Sequence, residues 1–159
     1  IYGKTKLGGE KAVVAATSDA IIVRTSWVFS EYGNNFVKTM LRLAKERDVL
    51  NIVDDQRGCP TYAGDLAQAI ILLLQRQAPS GIYHYCGDKE VSWYEFSKAI
   101  FDIAQSKGEL TSVPKLTPIA TEQYPTPAFR PRYSVLDCSK VKKSSVVLSN
   151  WQVALRNII

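Results

Sequence analysis

The chain has 159 residues, 46% of them hydrophobic and 22% charged, which suits one domain with a real core. The longest apolar run, residues 69–74, falls far short of the roughly 18 residues a membrane span needs, and the opening residues have no secretory h-region. The net charge of +5 reads either as a solvated surface or as attraction for an anionic small molecule such as a nucleotide diphosphate. Nucleic acid fits worst, because the basic residues are scattered and aromatics do not interleave with them.

In chain order, residues 2–16 carry no proline and read as a helix, weakened by Gly8 and Gly9. Residues 20–24 form a short β-branched apolar run, a buried strand. Apolar residues at 36, 37, 40, 41, 43 and 44 give helical spacing over 35–47, and 50–53 read as a strand. The stretch 63–75 is helical and apolar on nearly every side, so it is expected to be deeply buried. A strand follows at 81–85. Ser92 and Glu95 form a capping box that opens a helix to about Ser106, with Trp93, Phe96, Ile100 and Ile103 facing inward. Five prolines between 114 and 131 exclude a continuous helix and leave extended chain and loop. A short helix near Ser139 and a last one capped by Ser149 complete the reading. Alternating elements imply an α/β fold with parallel pairing. The strand at 20–24 has few parallel partners nearby, and the chain starts without methionine; both are expected of a segment cut from a larger sheet.

Three cysteines (59, 86 and 138) with no C-x-x-C spacing fit neither a disulfide framework nor a zinc site, and read as reduced thiols of a cytoplasmic protein. The single histidine, His84, cannot build a His-based metal site and reads as a hydrogen-bonded strand residue. No carboxylate cluster supports a metal. Asp65 reads as a helix N-terminal charge. Gln56, Gly58, Pro60 and Thr61 read as a shaped loop whose role is open.

Tyr2 and Lys6 are spaced i, i+4, which places both on one face of the first helix. An ammonium beside a phenol stabilises the phenolate, and such a phenol can protonate a carbonyl oxygen while hydride reaches the carbon. The spacing alone is common and equally describes a surface pair. Its setting is more specific. Tyr2-Gly-Lys-Thr-Lys-Leu-Gly-Gly-Glu10 is followed in order by Arg24-Thr-Ser-Trp27, Gly33-Asn-Asn-Phe36, Asp55-Gln-Arg-Gly-Cys-Pro-Thr61, Gly81-Ile-Tyr-His84 and Tyr124-Pro-Thr-Pro-Ala-Phe-Arg-Pro131.

This series resembles the extended short-chain dehydrogenase/reductases over essentially the whole chain, and within them the dTDP-4-dehydrorhamnose reductase family. The resemblance implies the C-terminal part of a Rossmann-like reductase with its smaller α/β substrate-binding domain, the dinucleotide-binding half lying upstream. It implies NADPH or NADH as cofactor, bound mainly by that upstream half, and a dTDP-sugar as substrate, the 4-keto group being reduced to give dTDP-L-rhamnose. Tyr2 would be the proton donor and Lys6 the residue that holds the nicotinamide ribose. Thr25 would approach the nicotinamide, and Trp27 would lie against the sugar. Asn35 would face substrate or simply cap its helix, and Arg130 would meet the substrate diphosphate or remain a surface residue. The glycines at 3, 8 and 9 do not form a dinucleotide fingerprint, so this segment alone is expected to be inactive. A homodimer of the full-length protein is left open. Two alternatives remain: a noncatalytic regulatory or binding subunit of the same fold, and a related nucleotide-sugar epimerase or dehydratase.

Overall fold

The computed structural model describes residues 1–159. In chain order it contains α1 (Tyr2–Ala16), β1 (Ile21–Arg24), β2 (Val28–Phe29), α2 (Phe36–Glu46) and β3 (Val49–Val53). Then come β4 (Arg57–Gly58), β5 (Thr61–Tyr62), α3 (Ala63–Gln75), β6 (Gly81–His84), β7 (Val91–Ser92) and α4 (Trp93–Ser106). The last elements are β8 (Lys115–Ile119), a 3-10 turn (Thr121–Gln123), α5 (Ser139–Lys143) and α6 (Trp151–Ile158).

The expected parallel α/β pairing is present. β1 runs parallel to β6, with Ile21 opposite Gly81 and Arg24 opposite His84. β3 runs parallel to β8, and β2 to β5, while β4 and β7 pair antiparallel. β8 is the extended part of the proline-rich stretch. Pro118 lacks an N–H, and it is tolerated because β8 has a strand on one side only.

Two apolar cores hold these ladders together. The larger unites α2, β3, α4 and α6 through Val37, Met40, Ile52, Phe96, Ile100, Phe101 and Leu155, with Phe29 and Trp151 completing it. Its helices start firmly. Asn35 Oδ1 accepts from the Lys38 amide at 3.2 Å. Ser92 Oγ accepts from the Glu95 amide at 3.0 Å, while Glu95 accepts from the Ser92 amide at 2.7 Å, which is the capping box read from the sequence. The second core surrounds β6, with Leu73, Tyr83, Tyr85, Val141, Val146 and the three cysteines.

Three expectations are corrected. β1 is half-buried at all four positions rather than enclosed. α3 is not deeply buried: only Ala69 and Leu73 are enclosed, while Ile71 is 46% and Leu74 62% exposed. The helix lies against one side of the β6 core, and the two-stranded β1–β6 ladder leaves its other side uncovered. Ser149 does not cap α6 either; Asn150 does, accepting from the Val153 amide at 3.1 Å. The Ser149 hydroxyl instead donates to Asp65 at 2.6 Å and accepts from the Tyr62 amide at 3.2 Å, joining α3 to the last segment.

Candidate functional site

The chain leaves β1 through Thr25 and Ser26 and turns sharply at Trp27, whose φ of +50° lies in the left-handed region. A bulky residue there costs about 1–3 kcal/mol unless its surroundings hold it. They do so on several sides. Trp27 stacks face to face on Trp93, with ring centroids 3.4 Å apart and planes within 7°. Phe36 packs on the same Trp93 at 4.5 Å. Against Gly58 the indole is so close that a Cβ there would lie 2.5 Å from Trp27 Cε2. The Trp27 carbonyl accepts from the Thr61 amide at 3.1 Å, and the Thr61 hydroxyl donates to the Ser26 carbonyl at 2.7 Å. The loop over residues 55–61 thus forms the seat of Trp27.

The same loop anchors the segment that carries Arg130. Asp55 Oδ1 accepts from the Thr121 amide at 2.9 Å and from its hydroxyl at 2.7 Å. Those hydrogen bonds, with the Thr121 hydroxyl first, hold the Asp55 carboxyl below the usual carboxylate range, helped by the nearby Arg132. At the far end, the Arg57 amide donates to the Arg132 carbonyl at 2.8 Å, and the Ser134 amide donates to the Arg57 carbonyl at 2.9 Å. Arg57 pairs through its guanidinium with Glu90 and, at 3.3 Å, with Glu95, and the Tyr133 hydroxyl donates to Glu90 at 2.8 Å. The span from Glu122 to Tyr133 is exposed, and Arg130 forms no ion pair within the chain.

Tyr2 and Lys6 share one face of α1, with Lys6 Nζ 5.5 Å from the Tyr2 ring centroid. α1 buries none of its side chains, and Tyr2 is 76% exposed. A side-chain fork ties the helix to the sheet: Arg24, the last residue of β1, donates from Nε to Glu10 at 2.8 Å and also through its terminal nitrogen. Hydrogen bonding to Arg24 holds the Glu10 carboxyl below its ordinary value. This fork brings α1 to the strand end that carries the exposed Thr25 and the half-buried Trp27. Tyr2 lies eight residues before Glu10, about 12 Å along a helix axis.

Asn35 spends its side chain on capping: besides accepting from Lys38, its Nδ2 donates to the Ser30 carbonyl at 2.7 Å. His84 is hydrogen-bonded as expected, Nδ1 lying 3.1 Å from the Asp137 carbonyl oxygen. Asp65 does sit in the first turn of α3. Sequence reasoning missed Trp93 as a partner of Trp27, because the capping box assigned it simply to the core side of α4. It also missed the Arg57–Glu90–Tyr133 link, which no local spacing announces.

A strand-end site on parallel β/α elements places the chain among Rossmann-like α/β proteins. It belongs to the family described as the RmlD substrate binding domain, which matches residues 1–159. A dTDP-4-dehydrorhamnose reductase of Aggregatibacter actinomycetemcomitans is 48% identical over 99% of this chain and 56% of its own length. Among solved structures, a dTDP-4-dehydrorhamnose reductase from Clostridium acetobutylicum superposes with a TM-score of 0.89 at 38% identity, over 99% of this chain and 54% of that one. The Bacillus anthracis enzyme of the same name, in complex with NADP, also reaches 0.89, at 37% identity over 99% of this chain and 54% of its own. The chain spans about half the length of the curated relatives it matches.

Proposed function

We propose that this chain is the substrate-binding half of a dTDP-4-dehydrorhamnose reductase, a cytoplasmic enzyme that reduces the 4-keto group of dTDP-4-dehydro-β-L-rhamnose to give dTDP-L-rhamnose. The observation that carries the reading is the strand-end constellation: Trp27 locked between Trp93 and Gly58, with the Tyr2/Lys6 helix tied to the same strand by Glu10 and Arg24. The names of the relatives, at up to 48% identity, support it. Three free thiols accord with a reducing compartment.

Trp27, half-buried against Trp93 and Gly58, offers the remaining open part of its indole to the sugar. Arg130, on a loop held at both ends, offers a guanidinium fork to the diphosphate. The Tyr2 phenol gives its proton to the 4-oxygen as the carbonyl is reduced, with the Lys6 ammonium beside it on the same helix face. The nicotinamide cofactor, when bound, supplies the hydride. Tyr2 and Lys6 suit its ribose end, since a cation and a phenol on one exposed helix face leave their polar atoms available. Its diphosphate finds no cradle at Gly3, Gly8 or Gly9, which lie inside α1 rather than on a strand-to-helix turn. Most of the cofactor site therefore belongs to an upstream dinucleotide-binding half.

The test uses the full-length protein with NADPH and the 4-keto sugar nucleotide. Stoichiometric NADPH oxidation with formation of dTDP-L-rhamnose is expected, and Tyr2→Phe should lower kcat by roughly 10²-fold or more. Nucleotide binding without NADPH oxidation would mean a noncatalytic subunit. Product formation without net cofactor consumption would mean an epimerase or dehydratase.

A further inference from the structure

Cys59, Cys86 and Cys138 are far apart in sequence, yet all three are buried and meet in the second core. Cys59 follows β4 in the seat of Trp27, Cys86 lies just beyond β6, and Cys138 immediately precedes α5. The sulfurs of Cys86 and Cys138 are 3.5 Å apart, and the Cys59 thiol also lies beside Cys86, in the lining of a shared cavity. Cys86 is thus the middle member of a chain of three thiols. All three line one cavity of about 320 Å³ that is partly open to solvent. Such a space admits hydrogen peroxide, which is little larger than a water molecule of about 30 Å³. The proposed reduction uses none of these sulfurs, and no group of three or more His, Cys, Asp or Glu side chains is arranged to hold a metal ion.

We infer that the cluster is a peroxide-driven oxidation site, in which Cys59 is oxidised first and the oxidation is passed through Cys86 to a reversible Cys86–Cys138 disulfide. The Cys59 thiolate attacks one peroxide oxygen; the S–O bond forms as the O–O bond breaks, and the departing hydroxide takes a proton to leave as water. Cys59 is then a sulfenic acid. The Cys86 thiol attacks that sulfur, forming an S–S bond and expelling a second water. Cys138 attacks Cys86 in turn, forming the Cys86–Cys138 bond and returning Cys59 as a thiol. Overall two thiols lose two electrons, and one peroxide is reduced to two waters. Closing the Cys86–Cys138 gap to a bond of about 2.05 Å requires roughly 1.5 Å of approach, within reach of side-chain rotation and a small shift of the α5 start.

The electrostatics agree with this order. Hydrogen bonding to Cys86 holds the Cys59 thiol below its ordinary value, which favours the thiolate that peroxide attacks. Cys86 is lowered by Cys138 but raised more by Cys59 and by burial, and ends at about 11. Contact with Cys86 and burial push Cys138 up as well. Cys86 and Cys138 are thus protonated at rest, and each gives its proton to the group it displaces, the hydroxide in one step and the Cys59 thiolate in the next.

The experiment exposes the full-length protein to hydrogen peroxide, quenches with catalase, unfolds and alkylates with iodoacetamide, and maps the peptides by mass. The expected result is loss of two of the three alkylatable thiols among Cys59, Cys86 and Cys138, a linked peptide pair joining Cys86 to Cys138, and full recovery with dithiothreitol. Cys59→Ala should slow disulfide formation tenfold or more, and Cys86→Ala should abolish every disulfide. Cys59, Cys86 and Cys138 all still alkylatable after peroxide would overturn the inference, as would irreversible sulfinic acid without a linked pair. Disulfide formation at the wild-type rate in Cys59→Ala would overturn the assigned order. Should either variant fail to fold, a quenched time course of the wild-type peptide map decides, because a Cys59–Cys86 link must rise before the Cys86–Cys138 link and its absence would overturn the order.

Discussion

Trp27 lies flat on Trp93, with centroids 3.4 Å apart, so a residue in a left-handed backbone conformation is held by one in the first turn of α4. The turn at Trp27 is unfavourable for a bulky side chain, and the stack offsets it. An aromatic pair contributes about 0.5–1.5 kcal/mol beyond the area it buries. Trp93→Ala should therefore loosen Trp27 and weaken dTDP-sugar binding by roughly two- to tenfold, with cofactor affinity kept. Calorimetric titration of the full-length protein with each ligand checks this; an equal loss for both ligands would point to general unfolding instead.

Gly58 packs against the same indole. A Cβ there would sit 2.5 Å from Trp27 Cε2 and 2.8 Å from Ser134 Oγ, and neither neighbour is free to yield, one being stacked and the other bonded to the Arg57 carbonyl at 3.0 Å. Gly58→Ala is expected to destabilise by about 1–3 kcal/mol, the scale of overpacking, and to lower sugar-nucleotide affinity because Trp27 must move. A thermal melt with near-ultraviolet dichroism reports both, and an unchanged aromatic signal with wild-type Tm would refute the packing argument.

Much of this framework was legible in the sequence, for local reasons. The capping box at Ser92 and the spacing of α2 are encoded within a few residues, and both are present. The reading failed where the answer depends on what lies across the fold. Periodicity reports that α3 is apolar, but not that the β1–β6 ladder covers only one side of it. Ser149 looked like a cap because hydroxyls favour that position; its real partners, Asp65 and Tyr62, lie far back in the chain. Among the site residues, Trp27 lies just past the end of β1, and Asn35 caps its helix. The pairing of Trp27 with Trp93 joins the end of β1 to α4, and no spacing rule relates them.

Acid should release the loop that carries Arg130. Asp55 accepts two hydrogen bonds from Thr121 and sits below its ordinary value for that reason. A lowered folded-state value means the unfolded chain binds the proton more readily. The contribution is therefore fully present above the unfolded carboxyl value of about 3.9 and is lost as pH falls through the lower folded value. Carbon-detected NMR titration of the Asp55 carboxyl should give a midpoint under 3.9, and amide exchange at Thr121 should quicken on acidification below it. Asp55→Asn should show fast exchange at Thr121 already at neutral pH. A normal Asp55 midpoint would contradict the anchoring role.

The last prediction concerns how the proposed proton donor is held. α1 buries no side chain, so the Glu10–Arg24 fork is its main tie to β1. A half-buried pair that water still reaches contributes modestly to global stability, and Arg24→Leu should shift the Tm of the full-length protein only slightly. Its effect should fall on geometry, because a small misplacement of a general acid is costly to the rate. Lower kcat with unchanged sugar-nucleotide affinity is expected, and Arg24→Lys should recover part of the loss, because an ammonium restores the charge but not the two-pronged contact. Should kcat stay at the wild-type level in Arg24→Leu, α1 would have to be positioned by contacts outside this chain, and Glu10 and Arg24 would be a surface pair with no part in placing Tyr2.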